Sequence, residues 1–211
     1  GLDVAKSISE GFARNCVAMK TDGQLKDLNL AIETDCDIAF ITAKDDEGLD
    51  ILRHSSAHVM AEAVLNLYPE AKLTIGPVVE DGFYYDIDMP PVSEEQMGPI
   101  EAEMKKIIKA KATFERKVVS KSEALELFKD NPFKIELINE LPEDEEISLY
   151  RNGKFIDLCR GPHIPHTGLI KGVKLLKISG AYWRSDQTRE QLQRLYGISF
   201  FDKKKLNQYL H

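Results

Sequence analysis

The chain has 211 residues, 43% hydrophobic and 30% charged, with a formal charge of −7. This is the composition of a globular protein with one or two domains and real cores, and it excludes fibrous and low-complexity classes. No apolar run approaches the roughly 20 residues a membrane helix needs, and Gly1 to Glu10 lack the cationic start and apolar centre of a secretion signal, so a soluble cytoplasmic protein without a membrane partner is expected. Three widely spaced cysteines exclude a disulfide framework and fit a reducing compartment.

In chain order, residues 3 to 10 read as a short helix, Cys16 to Met19 as a strand, Asp22-Gly23 as a turn, and Leu25 to Leu30 as the lead-in to a strand at Ile38 to Thr42. Cys16 and Cys36 read as small buried hydrophobes. Lys44 to Gly48 is a polar connector. A helix from about Leu49 to Tyr68 follows, with Leu52, Val59, Ala63, Val64 and Leu67 as its apolar stripe and Pro69 as its stop. Lys72 to Val79 and Phe83 to Asp88 alternate like strands about the hairpin signal Asp81-Gly82. Ser93 with Gln96 and Ser120 with Glu123 are capping-box patterns, the first before a helix through about Lys111, the second before Ala124 to Lys129. Phe114 to Val119 between them is strand-like. Asn131-Pro132 opens a helix through about Asn139. Glu146 to Tyr150 and Lys154 to Leu158 flank a second hairpin turn, Asn152-Gly153. Val173 to Ser179 is expected as a strand, and Thr188 to Leu195 and Lys203 to Leu210 as helices. Helices and strands mix without strict alternation, which points to an α+β fold with a mainly antiparallel sheet.

The charge is unevenly spread. Residues 171 to 211 hold nine cationic side chains against three carboxylates, for +6, which leaves −13 on the rest. Such asymmetry predicts a basic face, Lys171 to Lys205, able to meet a phosphate backbone; a merely solvated helix surface is the alternative.

Chemistry concentrates in two elements. His54 and His58 are four residues apart on one face of the predicted helix, and Cys159 and His163 flank a Gly161-Pro162 turn. Three imidazoles and a thiol are the donors that tetrahedral zinc prefers. The same groups without metal can act as general bases that position a water for attack on an ester carbonyl. Spacing leaves both readings open. Asp157, two residues before Cys159 on a strand, shares its face and could orient an imidazole or hold a substrate amine. His166, after Pro165, reads as a loop residue.

The stretches HSSAHVMAEAV, IGPVVEDGFYYDID, DLCRGPHIPHTG and LLKISGAYWRSD resemble the editing region of bacterial threonyl-tRNA synthetases. On that resemblance, residues 1–45 are similar to a truncated ubiquitin-like β-grasp (TGS) domain, 46–185 to the editing domain, and 186–211 to its end and the start of the linker helix. The resemblance implies hydrolysis of mischarged seryl-tRNA(Thr), with tRNA(Thr) as partner. It places His54, His58, Cys159, His163 and Lys134 about the hydrolytic water, and Tyr85 and Asp157 on the aminoacyl group. It favours a site without metal, the same four His/Cys residues being the zinc ligands of the related alanyl-type domain. ATP, Mg2+ and the synthetic zinc belong to a catalytic core expected elsewhere in the full protein, along with its dimer interface; this chain alone is expected to be monomeric. A non-catalytic tRNA-binding module and a metal-stabilised structural domain are the competing classes.

Overall fold

The computed structural model describes residues 1–211, arranged as three antiparallel sheets backed by helices. The first sheet follows helices α1 (Leu2–Ile8) and α2 (Glu10–Asn15) and contains β1 (Cys16–Thr21), β2 (Gln24–Asp27) and β3 (Ile38–Thr42) in the order β2-β1-β3. Asp22 and Gly23, at φ 47° and 78°, make the left-handed two-residue turn that suits a twisted hairpin. Cys16 and Met19 pack against Ala5, Ala13 and Leu28 on the helix side, while Val17, Ala18 and Ile41 join the main core. Cys36 differs from the expectation of burial: it is half-exposed among polar residues of the loop before β3.

Helix α3 (Asp46–Leu67) is the axis of the molecule. Leu52, Val59, Met60, Ala63 and Val64 are fully buried, and its N-terminal half packs on both β1 and β3. Beyond it lie β4 (Lys72–Leu73), β5 (Val78–Val79) and β6 (Gly82–Asp88), then α4 (Met97–Ala110), whose approach is fixed by the predicted Ser93–Gln96 capping box. The strand expected over Lys72 to Val79 is therefore broken. Gly76 and Pro77 interrupt it, although the Ile75 and Pro77 carbonyls still accept from β6.

The third sheet is β7 (Glu115–Val119), β8 (Ile147–Asn152) and β9 (Phe155–Leu158), with α5 (Lys121–Leu127) and α6 (Pro132–Glu140) inserted between its first two strands. The chain closes with β10 (Gly172–Tyr182), β11 (Gln191–Phe200) and α7 (Lys203–Leu210), completing the five-stranded sheet β10-β11-β6-β4 with β5 also on β6. The fold is α+β, and every pairing is antiparallel.

The helix expected over Thr188 to Leu195 is instead the beginning of β11, a central strand. Leu192 and Leu195, three apart, imitate a helical stripe, but odd spacing on a strand sends them to opposite faces. Leu192 packs with Phe133 and Trp183, and Leu195 enters the main core. Gly197 lies against the Phe83 ring, where a side chain would collide.

Between α3 and α4, burial first and the nearby Glu103 second push the Glu62 carboxyl up to about 7, and one of its oxygens has no hydrogen-bond partner. A carboxyl whose pKa rises on folding stabilises fully below its unfolded value and loses that contribution as pH climbs through the folded one. Glu62→Gln should therefore raise the unfolding free energy measured by urea denaturation at pH 8, by roughly 1 kcal/mol after discounting for partial exposure, and change it little at pH 4. Equal effects at the two pH values would contradict this.

Candidate active site

The middle of α3 presents His54 and His58 from one face, as their spacing requires. Opposite them, the segment after β9 turns sharply at Gly161, φ +71°, where a Cβ would run into the Tyr150 hydroxyl. That turn delivers Cys159 and His163. Cys159 Sγ lies 2.9 Å from His54 Nε2 and 3.4 Å from His163 Nε2, and it accepts from the Gly161 amide at 3.3 Å. The His54 and His163 rings stack at 4.7 Å, and the His58 ring stands edge-on to His163 at 5.0 Å. All four residues are thus brought together, with His58 and His163 buried and the His58 Nε2 unpartnered between Phe114 and Phe155.

Ser55, a residue that motif spacing did not single out, orders this cluster. Its hydroxyl donates to the Ile51 carbonyl at 2.8 Å and accepts from the Ile164 amide. With its single proton so used, it accepts from His163 Nδ1 at 2.9 Å. This assigns the His163 proton to Nδ1 and leaves the Nε2 lone pair to the Cys159 thiol. The thiol proton then points to His163, and His54 donates to the sulfur through Nε2, keeping its other ring nitrogen unprotonated.

A second group shares the cleft. Asn131 caps α6 by accepting from the Phe133 and Lys134 amides and is itself tied to the Leu73 carbonyl, which aims Lys134 inward. The Lys134 ammonium, 3% exposed as a residue, lies 2.8 Å from Asp157 Oδ1 and donates to the Thr74 carbonyl at 2.7 Å and the Tyr85 hydroxyl at 3.2 Å. Tyr85 donates in turn to Asp157 Oδ2 at 2.7 Å. Lys134 thus donates two hydrogen bonds within the protein, and its contact with Asp157 Oδ1, a buried oxygen with no hydrogen-bond donor of its own, is an ion pair. Gly76 lies flat on the Tyr85 ring, where any side chain would clash. Tyr84 faces the other way, beneath the Arg194 guanidinium.

The two groups line one cleft of about 400 Å³, whose walls include the Thr74–Pro77 backbone, Ser148 and Leu137. Burial holds His54 and His163 below the ordinary imidazole range and brings His58 down to about 4, so the rings are neutral at pH 7. Burial pushes the Cys159 thiol up to about 12, which keeps it protonated. Burial raises the Asp157 carboxyl too, but the Lys134 ammonium, with the hydrogen bond from Tyr85, outweighs it and leaves it lowered and ionised. The site therefore offers neutral bases beside one buried carboxylate.

Residues 147–196, which carry β8, β9, the Cys159–His163 turn and most of β11, match the family model "Threonyl and Alanyl tRNA synthetase second additional domain". The whole chain is 68% identical to a threonine–tRNA ligase of Desulfatibacillum aliphaticivorans and 52% identical to that of Clostridioides difficile, spanning 33% of each relative. Over 99% of its length it is 49% identical to the enzyme of Staphylococcus aureus, of which it spans 32%. The chain is homologous to threonyl-tRNA synthetases. It spans about a third of the length of these relatives.

The matched family model also covers alanyl synthetases, and the donor set of the cleft bears on zinc. One donor atom each of His54, Cys159 and His163 lies within 4.8 Å of the others. Zinc–sulfur and zinc–nitrogen bonds of about 2.3 and 2.0 Å put tetrahedral donors about 3.5 Å apart, so the Cys159–His163 spacing fits while the His54–Cys159 spacing has to open. Three protein ligands fit once that spacing opens. His58 does not belong to that cluster.

The basic face expected from the charge count is partly neutralised. Arg184 and Arg189 pair with Glu136, Arg194 with Asp86 and Lys174 with Glu101, all partners from earlier in the chain. Lys171, Lys177 and Lys203 to Lys205 remain exposed and outside these pairs, Lys177 lying over the Tyr196 ring. His166 lies outside the site, bridged to Thr113. No helix is long and apolar enough to cross a membrane.

Proposed function

We propose that this chain carries the post-transfer editing activity of a threonyl-tRNA synthetase, hydrolysing the ester that joins serine to tRNA(Thr). The observation that carries this reading is the meeting, on one cleft, of a neutral thiol–imidazole cluster with a buried ammonium–carboxylate–phenol group. The first can hold and deprotonate a water; the second can hold an amino acid. The chemical need is plain, since serine and threonine differ by one methyl, which a binding pocket resolves by only about 1–3 kcal/mol. A second sieve that admits the smaller side chain and hydrolyses its ester restores accuracy.

In this mechanism Asp157, ionised and aligned by Tyr85 and Lys134, receives the α-ammonium of the seryl group. The unprotonated nitrogen of His54, on the half-exposed ring, takes a proton as a water oxygen attacks the carbonyl carbon. The bond to the ribose oxygen breaks, that oxygen regains a proton, and free serine and tRNA leave. His163 and Cys159 hold His54 in the tautomer this needs, and His58 walls the cluster on the core side. Lys134 acts by keeping Asp157 charged and the Thr74 carbonyl in place. The protonated thiol argues against Cys159 as a covalent nucleophile. Lys171, Lys177 and Lys203 to Lys205 are the cations left for tRNA phosphates. Aminoacylation with ATP and Mg2+, and dimerisation, are assigned to the two thirds of the relatives that this chain does not span.

The donor cluster favours a second reading, a zinc-dependent deacylase of the alanyl type. Zinc held by His54, Cys159 and His163 would supply an acidified water. Chelator-dialysed protein of verified metal content decides between them: it is expected to deacylate seryl-tRNA(Thr) at the untreated rate. Activity lost on chelation and restored by zinc alone would establish the second reading.

A further inference from the structure

We infer that Asp27, at the end of β2, is a positioning residue of the editing site: its carboxylate clamps the Cys159–His163 turn to the N-terminal sheet and to Tyr150. This rests on the editing function proposed above. Asp27 Oδ1 accepts from the His163 backbone amide at 2.8 Å, and Oδ2 accepts from the Tyr150 hydroxyl at 2.6 Å. Those partners are 136 and 123 residues away in sequence. The Tyr150 hydroxyl is the atom on which Gly161 rests, and the Tyr150 ring stands edge-on to the His163 ring at 4.5 Å. One carboxylate thus fixes the amide of His163, the ring beside it and the bend before it. Nothing else supplied by the N-terminal sheet hydrogen-bonds to this turn.

Asp27 is buried, so removing it orphans a buried amide and a buried hydroxyl together. The turn then has reason to move, and with it the Cys159 sulfur and the Nε2 of His163. On this account β1 to β3, which share Val17, Ala18 and Ile41 with the main core, brace from behind the turn that lines the hydrolytic site. The N-terminal sheet is required for editing even though it supplies no group to the reaction.

The test uses the full 211-residue chain, with Asp27→Leu, Asp27→Asn, Tyr150→Phe and, as a neighbouring control, Lys26→Ala. Two quantities are measured: kcat and KM for seryl-tRNA(Thr) deacylation, and the iodoacetamide alkylation rate of Cys159 with Cys16 and Cys36 as internal references. Asp27→Leu should lower kcat about tenfold or more, with KM changed less than about threefold, and should speed Cys159 alkylation about fivefold. Asp27→Asn, which keeps an acceptor for the His163 amide, should recover most of kcat, and Lys26→Ala should match wild type. Tyr150→Phe removes one hydrogen bond without a cavity and is expected to show the same split in smaller measure, which keeps the test decisive if Asp27→Leu does not fold. Unchanged kcat in both Asp27→Leu and Tyr150→Phe overturns the assignment, as does loss of kcat with Cys159 alkylation unchanged. Faster alkylation in a protein whose wild type deacylates nothing supports the clamp and removes the editing function instead.

Discussion

Seryl-tRNA(Thr) hydrolysis is expected to slow by at least a hundredfold in His54→Ala, with the unfolding midpoint close to that of wild type. The size follows from the loss of a positioned general base, which contributes typically 10²- to 10⁴-fold. The small structural cost follows from where the ring sits: half-exposed at the cleft, on a helix whose buried contacts are made by Leu52, Val59 and Met60. Alanine is also the best helix former available there. The one hydrogen-bond partner lost is Cys159 Sγ, which keeps the Gly161 amide and His163, and the stack on the His163 ring goes with it. Single-turnover rates with circular dichroism on the same samples check both halves. A wild-type rate in His54→Ala would remove this imidazole from the reaction and shift the base to a deeper ring.

The largest effect on stability is expected at Lys134. Lys134→Ala leaves the Asp157 carboxylate in a site where its side chain is 6% exposed, with its counter-ion gone and the Thr74 carbonyl unpaired. Breaking a buried pair from one side costs about 3–5 kcal/mol, because the surviving charge has neither water nor partner. Replacing both members by similar-sized neutral groups, Lys134→Met with Asp157→Asn, should recover much of that loss while abolishing recognition of the seryl ammonium. Urea denaturation of the two singles and the double supplies the coupling. Losses below about 1 kcal/mol in both singles would show that the pair is solvated and not a buried anchor.

Much of this arrangement was legible in the sequence because local chemistry and tertiary demand agree there. The i, i+4 spacing on a long apolar helix places His54 and His58, and a glycine-containing turn after a strand brings up Cys159 and His163. Ser93 and Ser120 cap helices where their spacing to Gln96 and Glu123 says they do. The failures have physical causes. Leu192 and Leu195 repeat at a helical interval on a strand that is buried on both faces, so periodicity misreads them. Arg184, Arg189 and Arg194 look like a basic face until the fold sets Glu136 and Asp86 beside them. Ser55 could have been suspected, since a serine inside an apolar helix face needs a partner. Asp27 could not: its partners are distant in sequence, and only the fold brings the end of β2 to the turn.

The account stands most directly on a single-turnover comparison of this chain acting on seryl-tRNA(Thr) and threonyl-tRNA(Thr) under identical conditions. Hydrolysis of the seryl ester at least tenfold faster than the threonyl ester, and well above the spontaneous rate, is the predicted result. Equal rates for the two esters, or no acceleration of either, would contradict it.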